Sequence, residues 1–317
     1  MATEAGITEV HIVLEVAKTP CNLLRNLLPK TQEPQFTQFS LVHSLKKFDQ
    51  RRSEMPQINV AVNGVLGKMG QEVLKTVCRE PGLKPVGAVD MMAATNTLPL
   101  PDGSGLIPLS RSLADVLDQT EVVVDFTNFE GGTSVIQTAP ARGVNVVIGS
   151  TGIPDQVIEE AENLAQTNSV GIVIAPNFAI GALMMMHLAK ITAPYFDYAD
   201  LTEMHHEAKI DAPSGTALAI AKALVAGKGG PFKAPKAEKE LVAGSRGGTS
   251  EGVTIHSARM PGRMAHHELV LGALGQTLTI RHDSINRESF MPGVVMAIEH
   301  VADTPGLTFG LEKIMGL

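Results

Sequence analysis

The run from Glu203 to Thr216, EMHHEAKIDAPSGT, packs two adjacent histidines, a lysine and a Pro-Ser-Gly-Thr turn into fourteen residues. Histidine is the usual side-chain acid near neutral pH, because small changes of environment carry its proton affinity across neutrality. Lys209, three residues after the second histidine, adds a fixed positive charge or a second proton. Ser214, Gly215 and Thr216 open a helix pattern, so their backbone N–H groups and hydroxyls suit a carboxylate. Pro213 stiffens the approach to that helix. As strand neighbours, His205 and His206 point to opposite faces, and they diverge less at a strand end. A His-His pair alone is most simply a solvated surface. With Lys209 and the helix start beside it, a proton donor next to an anion cradle becomes the preferred reading.

A second constellation, Gly64-Val65-Leu66-Gly67-Lys68-Met69-Gly70, follows a strand pattern and opens a helix pattern. Glycines there allow a tight turn and let backbone N–H groups approach a pyrophosphate, whose charge a helix N-terminus stabilises. The G-x-x-G-x-x-G spacing is a variant of the usual fingerprint and carries little weight alone. It gains from Asp90, twenty residues past Gly70 at the end of the next strand pattern, where a carboxylate accepts hydrogen bonds from an adenosine ribose. Strand, turn, helix, strand and acid in that order predict a dinucleotide site. Three later strand ends carry Asp125-Phe126-Thr127, Gly149-Ser150-Thr151-Gly152 and Ala175-Pro176-Asn177-Phe178. In an open parallel sheet, ligands lie outside the carboxyl ends of the strands. Each of these three is by itself most simply a turn; together they are candidates for the nicotinamide half of a cleft.

These residues need elements to position them. Apolar, β-branched runs predict strands at Ile58–Asn63, Pro85–Asp90, Val122–Thr127, Val144–Gly149 and Val170–Ala175, with helices between them such as Pro154–Gln166. That alternation implies an α/β fold, with an N-terminal Rossmann-like dinucleotide-binding domain built on a parallel sheet. After Phe178 the pattern changes. Gly181–Thr192 reads as a helix, Asp200–His205 as a strand, Thr216–Ala226 as a helix and Gly227–Gly252 as a mobile loop. Three closely spaced strands, Val253–Arg259, Glu268–Ala273 and Thr277–His282, suggest a second α+β domain with a mostly antiparallel sheet. Arg287–Ala302 reads as a helix that packs back on the first domain. The expected division is residues 55–178 with 285–317 for the dinucleotide, and 179–284 for substrate binding and oligomerisation. Residues 1–54 carry mixed charge and no long apolar core, and read as an extension that is disordered or not native.

Composition excludes several other classes. A net charge of −7 argues against a nucleic-acid surface, and the absence of Trp with only two Tyr weakens any stacking platform. Cys21 and Cys78 form no CxxC motif and suit a reducing, cytoplasmic setting. Gly171–Ala189 lacks Asp, Glu, Lys and Arg, but Pro176, Asn177 and His187 interrupt it, so no membrane span is expected. The triplets His205-His206-Glu207 and His266-His267-Glu268 lack the one-turn ligand spacing of a helical zinc site, and no metal is expected. Arg259, Arg263 and Arg281 could serve an anionic substrate, although surface salt bridging is the simpler role for each.

The Glu203–Thr216 run closely resembles the E-x-H-H-x-x-K-x-D-A-P-S-G-T signature of the 4-hydroxy-tetrahydrodipicolinate reductases, also called dihydrodipicolinate reductases. The Gly64–Gly70 turn and the three later strand-end turns are similar to that family's cofactor turns, in the same order, and the resemblance covers roughly residues 56–317. It implies reduction of 4-hydroxy-tetrahydrodipicolinate, with loss of water, by NADH or NADPH in lysine and diaminopimelate biosynthesis. It implies that His205 gives or takes a proton, that Lys209 is a second donor, and that His206, Gly215 and Thr216 hold the carboxylates of a small dicarboxylate. It also implies a homotetramer built through the second domain's sheet. One departure concerns the cofactor. Several members follow the acidic residue with an arginine suited to a 2′-phosphate, whereas Asp90 is followed by Met91 and Met92, with Lys68 as a partial substitute. Asp90 alone favours NADH, and both cofactors are expected to be usable. The rival readings are another two-domain NAD(P)-dependent dehydrogenase and a non-catalytic dinucleotide sensor. A semialdehyde dehydrogenase would need a catalytic cysteine that neither Cys21 nor Cys78 provides. A sensor would not need His205, His206 and Lys209 together.

Overall fold

Continuous apolar strands such as VVVD, NVVI and GIVI have no polar face to offer water, and they become parallel strands covered on both sides. The structure, a computed structural model, describes residues 57–235 and 238–317; the expected extension at 1–54 lies outside them. Strand β1 (Ile58–Asn63) leads into helix α1 (Lys68–Arg79), then β2 (Leu83–Val89), β3 (Thr97–Pro99) and β4 (Leu106–Ser110). Strand β5 (Val122–Asp125), α2 (Phe129–Thr138), β6 (Asn145–Ile148), α3 (Asp155–Asn168) and β7 (Gly171–Ile174) continue the alternation. Next come α4 (Ile180–Thr192), β8 (Tyr198–His205), α5 (Gly215–Lys228), β9 (Gly248–Ser250), β10 (Val253–Arg259), β11 (Ala265–Ala273) and β12 (Gln276–Ser284). The described chain closes with α6 (Met291–Asp303), β13 (Gly306–Phe309) and α7 (Leu311–Ile314).

The first sheet runs β13-β7-β6-β5-β1-β2-β4-β3 and is parallel except for β3, which pairs antiparallel with β4. This is the expected Rossmann-like α/β arrangement. Val60 and Val62 of β1 face α1 and α6, while Ala61 faces the layer of α2 and α3, so each strand feeds two cores. Strands β3 and β4 were not anticipated. Pro108 and the flanking Gly103 and Gly105 hide a short edge pair from any alternation pattern.

The second sheet runs β12-β11-β8-β10-β9. It is mostly antiparallel, with one correction to the expected neighbours: β10 does not pair with β11. Strand β8 lies between them, antiparallel to β11 and parallel to β10. Its burial explains the place. Ala199, Leu201, Glu203 and His205 alternate as buried residues along one face, so β8 takes the sheet's protected centre. That face meets Met185 and Ala189 of α4 and Ile220 and Leu224 of α5.

The glycine turn between β1 and α1 is closely packed. Gly64 has φ +76°, and a Cβ on Gly70 would lie 2.1 Å from the Gly64 carbonyl oxygen and 2.8 Å from Val65 Cα. Both obstacles are backbone, so neither can rotate away. Gly70→Ala is expected to destabilise the protein by about 1–3 kcal/mol, the usual range for overpacking. Thermal melts check this, and an unchanged midpoint would show that the turn yields instead.

Candidate active site

The apolar face of β8 turns polar at its carboxyl end. Leu201 is followed two residues on by Glu203 and four on by His205, all on the same buried face. Glu203 is fully buried. Arg259, on the adjacent strand β10, grips it with both terminal nitrogens, at 3.0 Å and 2.7 Å. His205 Nδ1 hydrogen-bonds the same carboxylate, and the Ser214 backbone N–H donates to it at 3.3 Å. Arg259 also donates to the Asp211 carbonyl at 2.7 Å. One carboxylate thus holds the imidazole, the start of α5 and, through Arg259, the loop that carries Lys209. The expectation that Arg259 is a surface salt bridge is corrected: its partner is inaccessible to water.

Ser214 caps α5, its hydroxyl accepting from the Ala217 N–H at 3.2 Å. That hydroxyl also lies 3.3 Å from Nε2 of His267. His267 on β11 stands directly across from Glu203, and its ring meets the His205 ring edge-on at 5.5 Å. His267 and Glu203 were quoted in the sequence motifs without a role. The i, i+2 spacing of Glu203 and His205 on a strand was the available signal, since it puts acid and imidazole on one face.

A cleft of about 760 Å³ brings much of the predicted set together. Thr151, Pro176 and Asn177, from strand ends of the first sheet, line it opposite His205, Lys209, Ser214, Gly215 and Thr216. His187 and Lys190 of α4 also line it and had no role from sequence. His206 is exposed and lies outside the cleft lining. Lys209 pairs with Asp211 at 2.7 Å. Phe178 is buried, with its ring 5.3 Å from that of Phe126. Phe126 in turn fills the space where a Cβ on Gly149 would stand. Ser150 turns its hydroxyl inward to the buried Asp125 carboxylate, and the Thr127 hydroxyl bonds Asp125 at 2.7 Å, so both side chains brace strand ends. Ala175 is likewise buried and does not line the cleft.

The Gly64 turn borders a separate groove of about 530 Å³, shared with Asp90, Thr127 and Gly131. Gly67 caps α1 with no side-chain hydrogen bond, and no acid occupies the first turn. The first N–H groups of α1, from Lys68 and Met69, therefore have no capping side chain, the arrangement that suits a pyrophosphate. Val65 is buried beneath the turn, and the Leu66 N–H donates to Asp90 at 2.9 Å. The close-packed glycines, free helix start and acid at the end of β2 fit a dinucleotide.

Burial drives the proton affinities. Burial lowers His205, and the Glu203 carboxylate only partly offsets this. Burial pushes Glu203 up, but its bonds to Arg259, Ser257 and His205 win and hold it below the usual carboxylate range. Burial, reinforced by the charge of nearby His205, lowers His267 to about 4. Unfolded, that histidine takes a proton below about 6.5; folded, it does so only below about 4. The unfolded state therefore binds more protons between these values, and stability falls as pH drops from 6.5 to 4, by about 3 kcal/mol. Chemical denaturation across that range is expected to show the loss in the native protein and a flatter profile in His267→Gln. Parallel profiles would place the titration elsewhere.

The sequence also has named relatives. Residues 58–178 match the family "Dihydrodipicolinate reductase, N-terminus" and residues 181–315 match "Dihydrodipicolinate reductase, C-terminus". A 4-hydroxy-tetrahydrodipicolinate reductase of Dehalococcoides mccartyi is 50% identical over 265 residues, covering 83% of this chain and 100% of its own. The enzyme of that name from Synechocystis sp. is 43% identical over 270 residues, covering 81% and 98%. The solved structure of a dipicolinate-bound dihydrodipicolinate reductase from Paenisporosarcina sp. TG-14 is similar at a TM-score of 0.73 and 36% identity, covering 81% of this chain and 99% of that one. With both halves matched and the fold shared, the chain belongs to the dihydrodipicolinate reductase family.

Proposed function

We propose that the cleft beside His205 is where the dicarboxylate substrate and the nicotinamide meet, and that His205 is the proton donor. As a member of its family the chain is an NAD(P)H-dependent oxidoreductase of lysine and diaminopimelate biosynthesis. It reduces 4-hydroxy-tetrahydrodipicolinate, with loss of water, to tetrahydrodipicolinate. The observation that carries the assignment of roles is the Glu203 carboxylate, which fixes His205 by Nδ1 and leaves Nε2 as the nitrogen free to exchange a proton. When bound, the nicotinamide supplies a hydride to one carbon of the substrate. His205 protonates the neighbouring carbon, and Lys209 is the second donor. Gly215 and Thr216, at the start of α5, hold one carboxylate of the dianion with backbone N–H and hydroxyl groups. Ser214 keeps that helix start in place through its cap. His206 completes the carboxylate site only if its exposed ring turns inward. Thr127 of the Gly64 groove and Thr151, Pro176 and Asn177 of the His205 cleft line the cofactor's path, while Phe126, Ser150, Ala175 and Phe178 support those turns from beneath.

The proposed domain division puts 55–178 and 285–317 around the first sheet and 179–284 around the second. It is supported by β13, which adds to the first sheet beside β7. The linker at Phe178 is then the hinge on which the cleft closes and excludes water. A cytoplasmic location and a homotetramer belong to the same proposal. Among the described residues no helix is long and apolar enough to cross a membrane. Asp200, Thr202 and Met204, on the face of β8 away from α4 and α5, are left exposed or half-exposed, which suits a sheet-to-sheet interface.

Two measurements test this reading. His205→Gln is expected to lower turnover about 10²- to 10⁴-fold, the usual contribution of a positioned acid, with NADH affinity unchanged. Turnover at the native level would sink the assignment. Light scattering is expected to read four times the chain mass, and a monomer reading would rule out the sheet-to-sheet tetramer.

A further inference from the structure

We infer that Arg111 recognises the 2′-phosphate of NADPH in this chain, an inference that rests on the dinucleotide reading of the Gly64 groove. The argument starts from strand register. Val89 of β2 pairs with Ser110 of β4, and the Asp90 N–H donates to the Ser110 carbonyl at 2.9 Å. Asp90 and Arg111 are therefore the next residues on two adjacent parallel strands, side by side at their carboxyl ends. Ribose hydroxyls of a dinucleotide are met at that edge.

Arg111 is also held in place. Its Nε donates to the Ala93 carbonyl at 2.9 Å, and Ala93 closes the turn after Asp90 with an N–H bond to the Asp90 carbonyl at 3.0 Å. The guanidinium is thus pinned over the acid's own turn. Its two terminal nitrogens have no protein partner among the described residues. Arg111 is the sole lysine or arginine lining the groove, where the charged groups are otherwise the acids Asp90 and Glu130. A planar, permanently charged fork with free N–H groups is the group that best matches a phosphate monoester.

The neighbouring residues leave no better candidate. Met91 and Met92, which follow the acid, are exposed and uncharged. Lys68 is exposed at the first position of α1 and does not line the groove. Asp90 repels a 2′-phosphate less than a free carboxylate would, because its two oxygens already accept from the Leu66 and Met92 N–H groups, each at 2.9 Å. Asp90 therefore serves the ribose of NADH, and Arg111 adds the contact that admits NADPH.

The test is titration of NADH and NADPH, followed by nicotinamide fluorescence, into the native protein, Arg111→Ala, Arg111→Lys and Lys68→Ala, with melting curves to confirm folding. Arg111→Ala is expected to weaken NADPH about 10- to 100-fold, the usual range for a charged hydrogen bond. NADH is expected to change less than about twofold. Arg111→Lys, which keeps the charge and gives up the fork, is expected to fall between, and Lys68→Ala to leave the NADPH-to-NADH ratio unchanged. An unchanged ratio in Arg111→Ala, an equal loss of both cofactors, or a loss that follows Lys68 would each overturn the inference. A native protein that binds NADH alone would also overturn it. One that binds neither would overturn the dinucleotide reading itself.

Discussion

The site depends on one buried carboxylate. Glu203 has no access to water, and an isolated charge there would be several kcal/mol unfavourable. It persists because a guanidinium, an imidazole and a backbone N–H converge on it from three different segments: β10, its own strand, and the start of α5. Removing either partner of such a pair strands the other and costs about 3–5 kcal/mol. The His205 imidazole, the helix start and the Lys209 loop are therefore not placed independently. Their relative position is set by the geometry of a single side chain, which the sheet core beneath it, from Ala199 to Leu201, holds rigid.

Asp125 shows what happens without a cation. It too is buried at a strand end and accepts from Asn63 at 2.7 Å, from Thr127 and from Ser150. These donors are all neutral, and burial outweighs them, so its carboxyl is pushed up rather than held down. Both carboxylates tie together the ends of neighbouring strands. Only Glu203 keeps its charge firmly, and only Glu203 touches an imidazole whose proton affinity that charge can raise. The contrast separates a brace from a group that tunes chemistry.

Much of this was legible in the sequence wherever local pattern carries the information. The parallel strands, the glycine turn, Asp90 and the His205–Thr216 run all depend on neighbours close in the chain. What was missed depends on partners far apart. Arg259 lies 56 residues from Glu203, and no spacing rule joins them. The expected pairing of β10 with β11 followed from their short connection, but the protected centre between them goes to the strand with the best buried face, β8. Strands β3 and β4 escaped because Pro108 and nearby glycines break the alternation. Arg111 escaped with them, since a residue at an unseen strand end cannot be assigned to a strand-end site.

The cations around the cleft divide by how freely they can change partners. Arg259 commits both terminal nitrogens to Glu203 and to the Ala258 and Asp211 carbonyls, most of it out of contact with water, and it cannot release Glu203 without leaving a buried charge alone. Among the described residues the Lys209 ammonium pairs with Asp211, whose side chain is half in solvent, and a pair so open to water on one side is worth about 0–1 kcal/mol. On the proposed reading an arriving dianion competes with Asp211 for Lys209 at little expense, while the Arg259–Glu203 pair stays closed. On that same reading the Arg259–Glu203 pair aims the imidazole, and the Lys209–Asp211 pair supplies the charge that meets the substrate. Both Lys209 and Asp211 ride on the loop that Arg259 holds through the Asp211 carbonyl, so on this reading the exchange of partners leaves that backbone anchor in place.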